Sequence, residues 1–319
     1  MPISRRSFLA TSIGASVAAL VLVACGGDDD SGGAAGTTGA GAGNTTGSGA
    51  GATAAGDTAA AGGLVAVQFF PPGTFPNVAG QQQRWPFGVG NRDGVVMDAA
   101  NAPASLEAHV RDLEGKDMGQ PLTVTRRNKD LERPYYPLMT ELDAGQYQVT
   151  FVTPDGTSLE PAFFTVQQPG TTKVPVPGDP MPSFATPTTT DPLGVDPICT
   201  HQPPCPFHES SLDTALASGQ PTVLLVGTPA YCATGICGPV LELLERVSGG
   251  YGDKVNVIHA EVYTDDTLQT TTQAVQQLGL DYEPALFIAD ADGTLRYRLD
   301  VVYDADELGA ALTDVVGPA

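Results

Sequence analysis

Residues 221–240, PTVLLVGTPAYCATGICGPV, decide how the rest of this 319-residue chain is read. A run of β-branched residues and leucine, Val223 to Val226, predicts a buried strand, and Gly227-Thr228-Pro229 breaks it. Cys232 follows, then Cys237, and Gly238-Pro239 opens a stretch with Leu241, Leu243, Leu244 and Val247 at helical spacing. Strand, cysteine pair and helix in this order place thiols near a helix N-terminus. The free N–H groups and the dipole there favour thiolate over thiol.

Outward from this segment, residues 211–316 alternate between the two periodicities. A short helix over 212–217 precedes the strand at 223–226, and a helix over 239–248 follows the cysteines. A strand over 255–262 and a helical stretch over 267–278 come next. Strands over 285–288 and 295–299 flank the hairpin turn Asp290-Ala291-Asp292-Gly293. Asp304 is the expected N-cap of a last helix reaching Val316.

The order β-α-β-α-β-β-α and the cysteine segment resemble the thioredoxin superfamily. The segment is most similar to bacterial extracytoplasmic proteins reading TPA-(Y/F)-C-x4-C-G-P-V where thioredoxins have W-C-G-P-C. The resemblance implies an α/β thioredoxin-like domain over 178–319, with 178–210 a Pro-rich N-terminal extension. It also implies that Cys232 attacks a disulfide, that Cys237 resolves the mixed disulfide, and that Pro284, after Glu283, is the cis-proline that helps dock an extended substrate.

The departures from the family pattern are chemical. Five-residue spacing separates two Cα atoms by about 8–9 Å in a regular helix, beyond the roughly 7 Å limit for a disulfide. Either 233–236 is a loop with the helix starting near Pro239, or bond formation unwinds the first turn. Tyr231 replaces the usual tryptophan, and Val226 stands where thioredoxins carry a buried carboxylate. That leaves His259, with Glu261 behind it, as the candidate proton-transfer group. A peroxiredoxin class shares the C-x4-C spacing, but its threonine slot is Pro229 here. A thiol peroxidase is therefore the weaker alternative. A non-catalytic thioredoxin-fold scaffold, or a Sco-like copper-handling protein using two cysteines and a histidine, is the alternative of a different class.

Upstream, residues 64–177 carry short apolar runs between Gly/Pro turns and predict an all-β immunoglobulin-like sandwich domain. Strands are expected over 64–70, 104–110, 121–124, 146–152 and 163–166. Asp143-Ala144-Gly145-Gln146-Tyr147 resembles the D-x-G-x-Y corner of such modules. Tyr135-Tyr136-Pro137 reads as core or as a ligand-facing aromatic patch, and no catalytic constellation is visible there.

Residues 26–63 are Gly, Ala, Thr and Asp without apolar periodicity. They predict a disordered tether with a reach of roughly 35 Å. Residues 1–25 combine Arg5-Arg6, an apolar run and Leu22-Val23-Ala24-Cys25, which resembles a twin-arginine lipoprotein signal ending in a lipobox. Cys25 is the expected lipidation site. The location implied is the extracytoplasmic face of a bacterial membrane, reached through the lipid anchor. A formal charge of −21 argues against a nucleic-acid partner.

Outside the cytoplasm, an even set of cysteines permits disulfides, and Cys199 and Cys205 are the expected structural pair. The same stretch reads Cys199-x-His201-x3-Cys205-x2-His208, a spacing that also fits zinc or cuprous copper. The reading adopted has no metal and no cofactor. The function expected from sequence is a membrane-anchored thiol–disulfide oxidoreductase. Its partners would be the thiols or disulfides of exported proteins and a separate redox partner.

Overall fold

The computed structural model describes residues 63–319, which lie within one compact unit. The leader, Cys25 and the tether fall outside the described residues. Seven strands come first: β1 (Val65–Gln68), β2 (Gln83–Gly90), β3 (Ser105–Asp112), β4 (Leu122–Thr125), β5 (Tyr136–Thr140), β6 (Gly145–Val152) and β7 (Ala162–Val166). They form two antiparallel sheets, ordered β1-β2-β5 and β4-β3-β6-β7. The inner faces meet through aromatic contacts, Trp85 on Phe164 at 4.4 Å and Phe87 on Phe151 at 5.0 Å between ring centroids. Alternation puts Tyr147, Val149 and Phe151 of β6 into this core. At the corner before it, the Tyr147 hydroxyl donates to the Asp143 carbonyl at 2.9 Å.

Two of these strands have no counterpart in the sequence reading. β2 carries Pro86, Gly88 and Gly90, which argue against a central strand. The structure accommodates each of them. Pro86 lies opposite Pro137 of β5, and its carbonyl accepts from Phe69 beyond the end of β1, so no ladder bond toward β5 is lost. A Cβ at Gly88 would sit 2.6 Å from the Phe69 ring, and one at Gly90 would sit 2.5 Å from the Val95 carbonyl oxygen. The glycines are there because backbone and ring approach closely. Tyr135 and Tyr136 are fully buried, so the aromatic cluster is core.

The second half follows the expected element order. α1 (Leu212–Ala217), β8 (Thr222–Val226), α2 (Cys237–Ser248), a 3-10 turn (Gly249–Lys254), β9 (Asn256–Ala260), α3 (Gln273–Leu278), β10 (Ala285–Ala289), β11 (Leu295–Asp300) and α4 (Ala305–Val316) occur in sequence. The sheet order is β11-β10-β8-β9, with β8 and β9 parallel and the other pairs antiparallel. β8 and β10 are buried along their whole length, as strands covered on both faces must be. The helix expected from residue 267 begins only at Gln273. Asp265 instead accepts from the Thr267 N–H at 2.9 Å, a local turn that competes with helix, and Leu268 adopts φ +58. Asp304 caps α4 by accepting from the Glu307 N–H.

The two halves are joined by a buried polar network. Arg84 of β2 makes a two-pronged ion pair with Glu307 of α4, at 2.7 Å on each prong, and donates to the carbonyls of Asp300 and Val302. The Tyr135 hydroxyl also donates to Glu307. Burial alone would raise the Glu307 carboxyl, but Arg84 outweighs it and holds the group below its ordinary value. Removing one member strands a buried charge. Glu307→Ala should therefore lower unfolding stability by about 3–5 kcal/mol. Glu160→Ala, which breaks the exposed Arg92–Glu160 pair, should cost no more than about 1 kcal/mol. Urea unfolding of the two variants checks the difference, and equal losses would refute it.

Candidate active site and a second sulfur cluster

β8 ends at Val226, and the backbone then turns through Gly227 and Thr228 into the cysteine loop. A Cβ at Gly227 would sit 3.3 Å from Pro284 Cβ, closer than a side chain comfortably packs, and 3.6 Å from Cys237 Sγ, so glycine lets the loop pack against the proline. Residues 233–236 form a loop, with the Gly235 N–H bonded to the Cys232 carbonyl and Gly235 at φ +67. α2 starts at Cys237 itself, two residues before the expected Pro239, which becomes the third residue of the helix. Pro239 is tolerated there because first-turn N–H groups have no intrahelical partner.

Cys232 is half-buried at the surface and Cys237 is 1% exposed. Their sulfurs and a Glu283 oxygen all lie within 4.8 Å of one another. Hydrogen bonding from the Cys237 thiol outweighs burial and, with the Thr234 hydroxyl 3.3 Å away, brings the Cys232 thiol down to about 5. Its neighbour moves the other way. Sharing a proton with Cys232, then burial and the Glu283 charge, push the Cys237 thiol far above the ordinary range. A half-exposed thiolate beside a buried thiol is the polarity that nucleophile and resolving group require.

Glu283 is the residue beside the sulfurs that the sequence does not single out. Its Oε2 accepts from the Thr228 N–H at 2.8 Å and lies 3.4 Å from Cys237 Sγ. Burial first, and then the Cys232 charge, push its carboxyl up to about 7. A carboxyl within reach of the buried sulfur is thus present, one residue before Pro284 rather than on β8. The sequence signal was a glutamate immediately preceding the docking proline. The Glu283–Pro284 bond is cis, and Pro284 is buried against Gly227.

His259 does not join Cys232 and Cys237. It is fully buried on β9, its Nε2 is 3.0 Å from the Gly227 carbonyl, and its Nδ1 faces the other cysteine pair. Cys199 and Cys205 are free thiols with sulfurs 3.7 Å apart, so the expected disulfide between them is not formed. His208 and His259 complete their surroundings. His201, which the sequence spacing grouped with these cysteines, points instead to the Pro203 carbonyl and Glu242. The Cys199–Cys205 loop nevertheless touches the redox loop. The Thr200 hydroxyl accepts from the Ala230 N–H at 3.1 Å, and the Thr200 N–H donates to Glu261 at 2.6 Å. Burial raises the Glu261 carboxyl.

No protein-family model and no curated protein matches this chain. Among solved structures, a thioredoxin-family thiol:disulfide interchange protein from Chlorobium tepidum TLS is similar at 12% identity, with a TM-score of 0.30. That likeness covers 45% of this chain and 100% of the other. The titin domain M4 is similar at 11% identity and a TM-score of 0.20, covering 34% of this chain and 96% of the other. Likenesses this distant carry no argument about chemistry.

Proposed function

We propose that this chain is a thioredoxin-like thiol–disulfide oxidoreductase, anchored by lipidated Cys25 outside the cell membrane and acting on exported proteins. The observation that carries the reading is the pairing of a half-exposed, low-pKa Cys232 with a buried Cys237 and a carboxyl poised near neutrality. The sheet order with its parallel β8–β9 pair, and the leader and lipobox residues of the sequence, support the fold and the location proposed. The aromatic-cored pair of sheets supports an immunoglobulin-like assignment for the first half.

In the reducing direction, Cys232 thiolate attacks one sulfur of a substrate disulfide. A new S–S bond forms to Cys232 and the other substrate sulfur leaves as thiolate. Glu283 takes the proton from Cys237, whose sulfur then attacks Cys232. The Cys232–Cys237 bond forms, and the second substrate sulfur leaves and is protonated. Two electrons pass to the substrate, and a dithiol donor must restore the enzyme.

Cys232→Ser should abolish exchange with a disulfide peptide. Cys237→Ser should accumulate a mixed disulfide through Cys232, seen by mass spectrometry of the intact chain. Exchange that survives in both variants would sink the assignment and favour a scaffold. Cys232 should also react with iodoacetamide with an inflection near pH 5, far below the ordinary thiol value of about 8.5.

The pH sign for resolution follows from Glu283, which can accept a proton only once ionised. Cys232 carries no charge in the mixed disulfide, so burial without that charge raises Glu283 there, and the rate of resolution should rise with pH to an inflection above the ordinary carboxyl value but below about 7, then level off. Glu283→Gln should remove that inflection and slow resolution by about a hundredfold, while leaving Cys232 alkylation no slower. A variant with an unchanged resolution profile would show that Glu283 does not move the proton.

A further inference from the structure

The second sulfur cluster takes no part in this chemistry, and its geometry is that of a metal centre. Cys199 and Cys205 come from the irregular segment before α1, His208 lies three residues further on, and His259 projects from β9. All four are buried, at 3%, 7%, 3% and 0% exposure. Zn–S bonds of about 2.3 Å and Zn–N bonds of about 2.0–2.1 Å in a tetrahedron give ligand–ligand edges of about 3.8 Å (S–S), about 3.5–3.6 Å (S–N) and about 3.3–3.4 Å (N–N). Five of the six edges of the cluster are S–S 3.7 Å, S–N 3.8 Å (Cys199 to His259 Nδ1), 3.4 Å (Cys205 to His259 Nδ1) and 3.3 Å (Cys205 to His208 Nε2), and N–N 3.3 Å, and the sixth, Cys199 to His208, is within 4.8 Å. A covalent disulfide would need its sulfurs at about 2.05 Å.

Hydrogen bonding points the same way. The Gly227 carbonyl can only accept, so His259 Nε2 donates to it, and Nδ1 is the nitrogen turned to both sulfurs and to His208. A ligating imidazole whose other nitrogen donates to a backbone carbonyl is the usual outer-shell arrangement of a metal site. Electron-pair donors converge there in a space closed to water, where a cation would satisfy all of them at once.

We propose that Cys199, Cys205, His208 and His259 form a structural, four-coordinate zinc site that fastens the N-terminal extension to the sheet. Four protein ligands leave no open position, so the ion is structural rather than catalytic. Both thiols lose their protons on binding, and neither sulfur is oxidised. The site differs from the sequence spacing in its fourth ligand, since His259 takes the place of His201.

The test is titration of the reduced, metal-free full chain with Co2+, followed by Zn2+. One equivalent of Co2+ should give tetrahedral ligand-field bands and a thiolate-to-cobalt charge-transfer band, and Zn2+ should abolish both. His259→Ala and Cys205→Ser should lose the tetrahedral spectrum. His208→Cys should keep it with a stronger charge-transfer band, which guards against variants that merely misfold. Cys232→Ser/Cys237→Ser should leave it intact, because that cluster is a separate group of two cysteines and Glu283. Failure of Co2+ to give a tetrahedral spectrum with the reduced chain would overturn the proposal. So would a spectrum that vanishes in Cys232→Ser/Cys237→Ser but persists in His259→Ala, or a Cys199–Cys205 disulfide in the protein as isolated. None of these outcomes depends on whether the chain exchanges disulfides.

Discussion

One peptide unit after β8 holds both sulfur clusters in place. On one side, the Cα of Gly227 lies against Pro284, where a Cβ would come within 3.3 Å of the proline Cβ, and beside Cys237. On the other, its carbonyl takes the His259 Nε2 hydrogen and so fixes which ring nitrogen faces Cys199 and Cys205. The Gly227 N–H is bonded to the Ala260 carbonyl on β9, which extends the parallel pairing one step beyond Val226. The position is thus held by sheet hydrogen bonding, by packing and by a side-chain contact. Neither cluster can shift without disturbing the other's wall.

Proton handling follows from that arrangement. With β8 buried on both faces, a carboxylate at position 226 would put a charge into the apolar cluster that Val226 shares with its strand neighbours Ala285 and Ala260. Glu283 enters instead from the segment leading into β10. It reaches the buried sulfur from the side and keeps one backbone donor, the Thr228 N–H, for its ionised form. Burial and the neighbouring thiolate oppose ionisation while this hydrogen bond favours it, and the balance falls near neutrality. A carboxyl so balanced can accept and return a proton at ordinary pH.

What could be read from the residues follows how local each signal is. β8 and β10 announce themselves as apolar runs, and Asp304 as a cap, because each depends on a few adjacent side chains. β2 was not legible, since Pro86, Gly88 and Gly90 make sense only against Pro137, Phe69 and Val95. The cysteine pair and Pro284 stand out as a motif, but Glu283 comes beside the sulfurs only when β10 is laid beside β8. His259 read as a neighbour of Cys232 because β8 and β9 are adjacent. The register pairs it with Leu225 and directs its ring to the loop of Cys199 instead.

The sheets of the first half also bear on the half that carries the cysteines. Val301 belongs to their aromatic core although it follows β11, and its φ of +68 is one that a β-branched residue rarely adopts. Such a conformation costs of order 1–3 kcal/mol and persists only where the surroundings over-determine it. Arg84 supplies that constraint by bonding the carbonyls on both sides, Asp300 and Val302. The Val301 N–H, held in this way, donates to the Pro284 carbonyl at 2.7 Å, and Phe75 packs on Tyr282 with ring centroids 5.3 Å apart. Glu283 lies between those two anchored residues. The carboxyl that faces Cys237 is therefore positioned from the first half of the chain as much as from the half that carries the sulfur.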